Sequence, residues 1–161
     1  MKLLVLSDSH GNVDNMVEAV NAAHPDLIIH LGDVMHDAEK LHAIFPEIPM
    51  EQVPGNCDYA AFDAPQRVLC LNEQRVMICH GHTLHVKSGL LTAMYAALEQ
   101  NADLLLFGHT HKAFLEERNG VWLFNPGSIG DYRSPTYGVI VLEGKQILPT
   151  IVSLRDNTSP S

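Results

Sequence analysis

Residues 2–10 read KLLVLSDSH, an apolar run of leucine and valine that a carboxylate and an imidazole follow at once. Short apolar runs of this kind are typical of strands that are buried on both faces of a sheet. Further runs occur at residues 27–31, 76–79, 104–107, 121–124 and 139–142. The sequence therefore predicts a core of buried β-strands, and polar residues follow several of them.

Helical periodicity separates these strands in the first half of the chain. Apolar side chains recur at helical spacing over residues 13–23, with Asn12 before them as a suitable N-cap and Pro25 beyond them. Shorter patterns over residues 38–45 and 90–98 predict two more helices. Strands and helices that alternate along a chain favour a parallel sheet.

The second half of the chain has hairpin signals instead. Asn119-Gly120 is a type I′ turn signal between two apolar runs, and Glu143-Gly144 joins two more. We therefore predict an α/β protein in which two mixed β-sheets pack face to face with helices outside. One domain is expected over residues 1–155, whereas residues 156–161 lack apolar side chains and are expected to form a disordered tail.

Composition narrows the function class. The 161 residues suit one domain, and three cysteines without a Cys-x-x-Cys pair indicate neither disulfides nor a thiolate zinc site. The net charge of −9 disfavours a nucleic-acid partner, because such binding depends on Lys and Arg. The apolar stretch near the N-terminus is too short for a signal peptide or a membrane span, so we expect a cytoplasmic protein with no membrane partner.

Polar residues with metal-binding chemistry follow five of the predicted strands. Since the carboxyl ends of parallel strands meet at one edge of a sheet, we expect these side chains to converge there. Any one of them alone is better explained by an ordinary structural role, but five ordered elements with the same placement favour a site. The predicted metal ligands are Asp8, His10, Asp33, Asn56, His80, His109 and His111.

The chemistry of this set indicates a two-metal centre. Two carboxylates, four imidazoles and a carboxamide, with no thiolate, suit divalent ions of borderline or hard character. Seven ligands are too many for one ion but suit two ions that share a carboxylate, and Asp33 is our candidate for the bridge. We expect two divalent ions, with Mn²⁺ as the first choice and Ni²⁺, Fe²⁺ or Zn²⁺ as alternatives.

Five short motifs resemble those of the calcineurin-like metallophosphoesterase superfamily. They are Asp8-Ser9-His10, Gly32-Asp33, Gly55-Asn56-Cys57-Asp58, His80-Gly81-His82 and Gly108-His109-Thr110-His111. The size of the chain, the Asn-Cys-Asp form of the third motif and Asn125-Pro126-Gly127-Ser128 resemble its small bacterial and archaeal phosphodiesterase branch. The resemblance implies a four-layer αββα sandwich.

The resemblance also distributes the ligands between two metals. It places the first ion with Asp8, His10, Asp33 and His111, and the second ion with Asp33, Asn56, His80 and His109. The implied activity is that of a phosphodiesterase, in which a hydroxide that bridges the metals attacks a small phosphodiester in line with its leaving group. We assign catalytic roles to Asp33, Asn56 and His82.

One position departs from the pattern of other branches. In the nuclease and phosphoprotein-phosphatase branches a His follows the motif's Asn and assists catalysis, whereas here that residue is Cys57. Loss of a general acid falls mainly on substrates with poor leaving groups, so we expect activated aryl phosphodiesters to be preferred over DNA or phosphoproteins. His82 is a candidate replacement donor, with a role in orienting a ligand or contacting substrate as the alternative.

Two functions of other classes stay open at this stage. The retromer subunit that resembles this fold serves as a protein-binding scaffold, and a metal-dependent nucleotide-binding regulator is also conceivable. A homo-oligomer is a family-based expectation. The sequence assigns no chemistry to His30, which we expect to be a hydrogen-bonded core residue, and the turn Asn125–Ser128 and Arg133 are left as either parts of the site's wall or ordinary loop residues.

Overall fold

The computed structural model describes residues 1–55, 58 and 65–154. Asn56, Cys57 and the predicted tail of residues 156–161 lie outside the described residues. The strands are β1 (Lys2–Leu6), β2 (Leu27–His30), β3 (Met50–Gln52), β4 (Gln66–Leu71), β5 (Gln74–Cys79), β6 (Leu104–Leu106), β7 (Phe114–Arg118), β8 (Val121–Asn125), β9 (Thr136–Glu143) and β10 (Gln146–Ser153). The helices are α1 (Val13–Ala23), α2 (Met35–Ile44) and α3 (Leu91–Glu99), with a one-turn 3₁₀ helix at His82–Leu84.

The strands form two mixed five-stranded sheets. The first sheet has the order β10-β9-β1-β2-β3, and the second has the order β4-β5-β6-β8-β7. In the first sheet β1, β2 and β3 are parallel, and β9 joins β1 in the antiparallel sense. In the second sheet β5, β6 and β8 are parallel, with β4 and β7 antiparallel at the edges. The predicted pair of mixed sheets is confirmed.

Alternate residues of β1 face two different cores, which explains its continuous apolar sequence. Leu3 and Val5 pack with residues of the second sheet such as Ile78 and Leu106. Leu4 and Leu6 pack instead against the apolar faces of α1 and α2. On the far side, strands of the second sheet pack on α3. Two sheets with helices on both outer faces give the four-layer αββα sandwich that the sequence predicted.

The helices begin and end largely where their sequence signals lie. The side chain of Asn12 caps α1 by accepting the Asn15 N–H at 3.0 Å, and the left-handed His24 ends this helix just before Pro25. The helix α3 ends at Glu99, one residue beyond the predicted pattern of residues 90–98. No helix in the described part of the chain is long and apolar enough to cross a membrane.

Two hairpins have left-handed residues at both turn positions. Asn119 and Gly120, at φ +53° and +80°, join β7 to β8, so the predicted type I′ turn is confirmed. Asn72 and Glu73, at φ +46° and +71°, join β4 to β5 in the same way. The sequence analysis missed this second hairpin, because β4 is a half-exposed edge strand and its turn contains no glycine.

Candidate metal centre

Six of the seven predicted ligands lie within the described residues, and they follow the carboxyl ends of four parallel strands. Asp8 and His10 follow β1, and Asp33 follows β2 in the first sheet. In the second sheet His80 follows β5, and the pair His109 and His111 follows β6. The structure brings these six side chains together across the two sheets. Asn56 lies outside the described residues.

A first group of four residues offers a compact set of ligand atoms. Asp8, His10, Asp33 and His111 each contribute one nitrogen or oxygen, and all four atoms lie within 4.8 Å of one another. The Nε2 atoms of His10 and His111 are 3.4 Å apart, and the Asp8 Oδ1 atom is 3.3 Å from Nε2 of His111. Both carboxylates are buried and both imidazoles are exposed, so the group opens to solvent from one side.

A second pair of imidazoles adjoins this group. Nε2 of His80 lies 3.2 Å from Nδ1 of His109 and 3.5 Å from Oδ2 of Asp33. The same Asp33 oxygen lies 3.9 Å from Nε2 of His10 in the first group. Asp33 therefore stands between the two sets, which is where a bridging carboxylate is required.

One oxygen of the Asp8 carboxylate provides a test of whether these residues suit a cation. Asp8 is completely buried. Its Oδ2 accepts from the Ser7 hydroxyl at 2.7 Å and from the His109 N–H at 3.1 Å. Its Oδ1 has no hydrogen-bond partner among the described residues, although His10, His80 and His111 all point Nε2 toward it from 3.3 to 3.9 Å. A buried unpaired carboxylate oxygen is costly, and a cation among these nitrogens relieves that cost.

The orientation of His80 suits metal binding. Its Nδ1 lies 2.9 Å from the carbonyl oxygen of Leu31, and because a carbonyl only accepts, Nδ1 carries the proton. In the neutral ring the lone pair is then on Nε2, which lies 3.8 Å from Oδ1 of Asp8 and 3.5 Å from Oδ2 of Asp33. Fixing the tautomer of an imidazole through its other nitrogen is the usual device for a metal-ligating histidine.

The charge state of His109 also favours a ligand role. Burial, the His80 ring and the Lys87 ammonium lower the pKa of His109 from 6.5 to about 4. The imidazole is therefore neutral at pH 7, as metal coordination requires.

The backbone at the centre is held in an uncommon conformation. Asp8, His10, Asp33, His109 and His111 all have positive φ angles, between +44° and +69°. Residues other than glycine seldom adopt this region, although Asp and His adopt it more readily than most, and several such residues in one place are typical of a functional site. The neighbouring glycines allow the close approach: a Cβ on Gly108 would collide with the Ser7 hydroxyl, and one on Gly55 with Asp33.

A buried network behind the Asp8–His10 loop was missed by the sequence analysis. Asp37, in the first turn of α2, accepts from the Ser9 hydroxyl at 2.8 Å and from the Gly11 N–H at 2.6 Å. Nε2 of His30 lies 3.1 Å from the same hydroxyl, and Nδ1 of His30 accepts the Gly32 N–H at 3.2 Å. His30 is thus a hydrogen-bonded core residue, as expected, and it links the loops after β1 and β2.

The turn Asn125–Ser128 supports the loops that carry the ligands. The Asn125 amide donates to the Gly108 carbonyl at 3.2 Å and to the Thr110 hydroxyl at 2.9 Å. The Ser128 hydroxyl donates to the Asp8 carbonyl at 2.8 Å. This turn is buried and holds both sheets' ligand loops together, whereas Arg133 lies exposed on the loop that follows.

Most of the chain matches one protein-family model. Residues 1–146 match the model of the calcineurin-like phosphoesterase superfamily domain. The chain belongs to this superfamily. The motifs that suggested the resemblance are the same segments that meet at the candidate metal centre, and the sandwich of two mixed sheets is the fold of its structural neighbours.

Curated relatives and solved structures of the superfamily agree with this assignment. The probable metallophosphoesterase YsnB of Bacillus subtilis is 34% identical over 148 residues, which cover 89% of this chain and 85% of YsnB. Phosphodiesterase YfcE of Escherichia coli K12 is 29% identical over 155 residues, covering 80% and 79%. The structure of vacuolar protein sorting 29 from Cryptosporidium parvum aligns with a TM-score of 0.82 at 21% identity, covering 98% and 93%, and this likeness concerns the fold alone.

His82, our candidate proton donor, lies beside the second pair of imidazoles. Its ring centroid is 5.5 Å from that of His80 and 6.2 Å from that of His109. Its Nδ1 is buried and has no hydrogen-bond partner among the described residues. Burial lowers the pKa of His82, which reduces the protonated fraction that a general acid needs at neutral pH. Cys57, the position that raised the question of a donor, lies outside the described residues.

Proposed function

We propose that this phosphoesterase is a two-metal phosphodiesterase that hydrolyses small phosphodiesters. The observation that carries the proposal is the buried Asp8 Oδ1 atom, toward which three imidazole Nε2 atoms converge while none of the described residues donates a hydrogen bond to it. The proposed ligands of the first ion are Asp8, His10, Asp33 and His111, and those of the second are Asp33, Asn56, His80 and His109. The likeness to phosphodiesterase YfcE supports the diester class.

The residues of the centre position the groups that would act on a phosphate ester. Two divalent ions held here would lower the pKa of a bound water, orient the phosphoryl oxygens and stabilise developing negative charge. Asp33, between the two groups, fixes their separation. Leu31 holds the tautomer of His80, and the Ser7 hydroxyl and the His109 N–H keep the Asp8 carboxylate oriented.

The shape and charge of the surroundings support a small substrate. A polar depression of about 540 Å³ reaches His10, and an apolar groove of about 540 Å³ reaches Thr110, between His109 and His111. Both volumes lie in the range of small-molecule sites. The net charge of −9 opposes a long polyanion such as DNA, whereas a centre with two cations attracts one phosphate at short range.

The metal content is tested first. Protein stripped with a chelator is titrated with Mn²⁺, Ni²⁺, Fe²⁺, Zn²⁺ or Mg²⁺ in a calorimeter, and hydrolysis of bis(p-nitrophenyl) phosphate is measured with each. We expect two ions per chain and the highest activity with Mn²⁺. His80→Ala and His111→Ala should each reduce the number of ions bound, and the exposed His85→Ala serves as the matched control. Failure of every metal to support turnover would contradict the proposed phosphodiesterase activity and favour a binding role.

His82 is proposed to contact the substrate or its leaving group. With the nitrogen donor absent from position 57, activated aryl diesters should react far faster than DNA; equal rates on both would contradict this preference. Rates over a series of aryl leaving groups separate the roles of His82. If His82 donates a proton, His82→Ala steepens the dependence on leaving-group pKa; an unchanged slope with a raised KM indicates a substrate contact.

We also propose a cellular compartment and an oligomeric state. The free Cys70 and Cys79 thiols fit a reducing compartment, so we place the enzyme in the cytoplasm. Self-association into a homo-oligomer is checked by light scattering of the purified protein.

A further inference from the structure

An apolar groove lies next to the candidate metal centre on the side of the second sheet. We call it the Phe107–Phe114 groove, after two aromatic rings whose centroids are 6.4 Å apart. Val86 and Leu90, from the segment before α3, complete its apolar lining. Its volume of about 540 Å³ is enough for a group the size of a nucleoside.

The rim of the groove is basic, which is unusual in a protein with a net charge of −9. Lys87 and Lys112 both line it. Arg67 and Arg118 are paired with glutamates, whereas Lys87 and Lys112, like the other described lysines, form no ion pair with any described residue. Two unpaired ammonium groups beside an apolar floor suit a ligand that is both aromatic and anionic.

The groove and the proposed reaction centre share one loop, residues 109–112. Thr110, which lines the groove, stands between the ligands His109 and His111 in the sequence, and Lys112 follows directly. One ester group of a phosphate bound at the metal centre would then lie beside this shared loop.

We propose that the Phe107–Phe114 groove binds a nucleoside group of the diester substrate, and that Lys87 and Lys112 bind a second phosphate on that nucleoside. The substrate class is thus a phosphodiester of a phosphorylated nucleoside, such as a short dinucleotide, rather than a simple alkyl diester. This inference rests on the proposed function, since it takes the scissile phosphate to lie at the metal centre.

Three esters with the same p-nitrophenolate leaving group test the proposal. They are methyl p-nitrophenyl phosphate, the p-nitrophenyl ester of thymidine 5′-phosphate, and the same thymidine ester with a 3′-phosphate. Because the leaving group is constant, differences in kcat/KM report on the other ester group. We expect kcat/KM to rise about tenfold from methyl to thymidine and about tenfold again with the 3′-phosphate.

Variants test which part of the groove causes each of the two increases in kcat/KM. Lys87→Ala and Lys112→Ala should each reduce the gain from the 3′-phosphate about threefold to fivefold, with Lys145→Ala, an exposed lysine in the β9–β10 turn, as the matched control. Phe114→Ala should reduce the increase in kcat/KM from the methyl ester to the thymidine ester. Leu115→Ala is its control, because neighbouring residues of β7 point to opposite faces.

A binding measurement separates this inference from the proposed function. Thymidine 3′,5′-bisphosphate is titrated into the protein, and we expect weaker binding to Lys112→Ala than to Lys145→Ala. No hydrolysis of any of the three esters with any metal would overturn the proposed function, and selective loss of bisphosphate binding in Lys112→Ala would still support the groove. Hydrolysis of all three esters with equal kcat/KM would overturn the groove and leave the proposed function standing.

Discussion

Asp8 combines complete burial with a carboxylate oxygen that no hydrogen-bond donor among the described residues satisfies. In the metal-free protein its charge faces imidazole nitrogens. A carboxamide at this position could keep the bonds from Ser7 and the His109 N–H and donate to Nε2 of His111. We therefore expect Asp8→Asn to stabilise the metal-free protein by about 1 kcal/mol while it removes activity.

The measurement is thermal unfolding in the presence of a chelator, together with hydrolysis of an aryl diester in Mn²⁺. Glu18→Gln, an exposed residue of α1, removes the same charge without touching the centre and serves as the control. Loss of stability in chelator alongside loss of activity would show that Asp8 is a structural carboxylate rather than a ligand.

Val34 carries backbone strain directly after the proposed bridging ligand. It has φ +67° and caps α2 without a side-chain hydrogen bond, although a β-branched residue is strongly disfavoured in that region. We expect Val34→Gly to raise the free energy of unfolding by about 1 kcal/mol, because relief of strain exceeds the entropy that glycine adds to the unfolded chain. Val17→Gly, at a helical position of α1, should destabilise. Denaturant titration of both variants checks the contrast.

Between elements, Asp37 ties the first turn of α2 to the loop after β1. It accepts from both Ser9 and Gly11 on either side of the proposed ligand His10. An Asn at this position loses the charge that strengthens both hydrogen bonds, so the loop should hold His10 less firmly. We expect Asp37→Asn to weaken metal binding about tenfold, as is typical when a ligand's supporting partner is removed.

Calorimetric metal titration measures this effect, and circular dichroism shows whether α2 persists. Glu39→Gln, an exposed residue of the same helix, is the control. Equal metal affinity in the two variants would mean that the Asp8–His10 loop needs no support from α2.

His30 makes β2 sensitive to acid. Burial lowers the pKa of His30 from 6.5 to about 4, so between these values the unfolded chain binds a proton that the folded chain does not. The free energy of unfolding is therefore unaffected by this group above pH 6.5. It falls by about 3 kcal/mol as the pH falls from 6.5 toward 4. The free energy of unfolding of the metal-free protein should therefore fall more steeply between pH 7 and pH 4 than that of His30→Gln. His42→Gln, at an exposed histidine, should keep the full slope.

The sequence predicted elements whose signals are local and missed those whose cause is tertiary. The runs after which Asp8, Asp33 and His80 appear are apolar on both faces, so their strands were readable. The edge strand β4 was not, because its half-exposed residues show neither continuous burial nor a glycine turn. Likewise nothing in the local sequence of Asp37 indicates that its carboxylate accepts from a loop 26 residues earlier.

At the scale of the whole molecule, the proposed ligands come from both halves of the sandwich. Asp8, His10 and Asp33 follow strands of the first sheet, and His80 and His109 follow strands of the second. Metal bound by these residues would therefore join the two sheets at one edge, in addition to the apolar core between them. A ligand that binds only the folded state stabilises it by mass action, about 2.7 kcal/mol at a concentration 100 times its dissociation constant.

Manganese should accordingly raise the melting temperature of the whole protein rather than of one part. For a chain of this length we expect an increase of roughly 5 to 10 °C at that concentration, in a single cooperative transition seen by both fluorescence and circular dichroism. His80→Ala, which removes a ligand of the second sheet, should lose most of the increase, whereas His85→Ala should keep it. If Mn²⁺ raised the melting temperature of only one of two separate transitions, the ions would be held by one sheet alone. A site built from both sheets cannot bind once either sheet has unfolded.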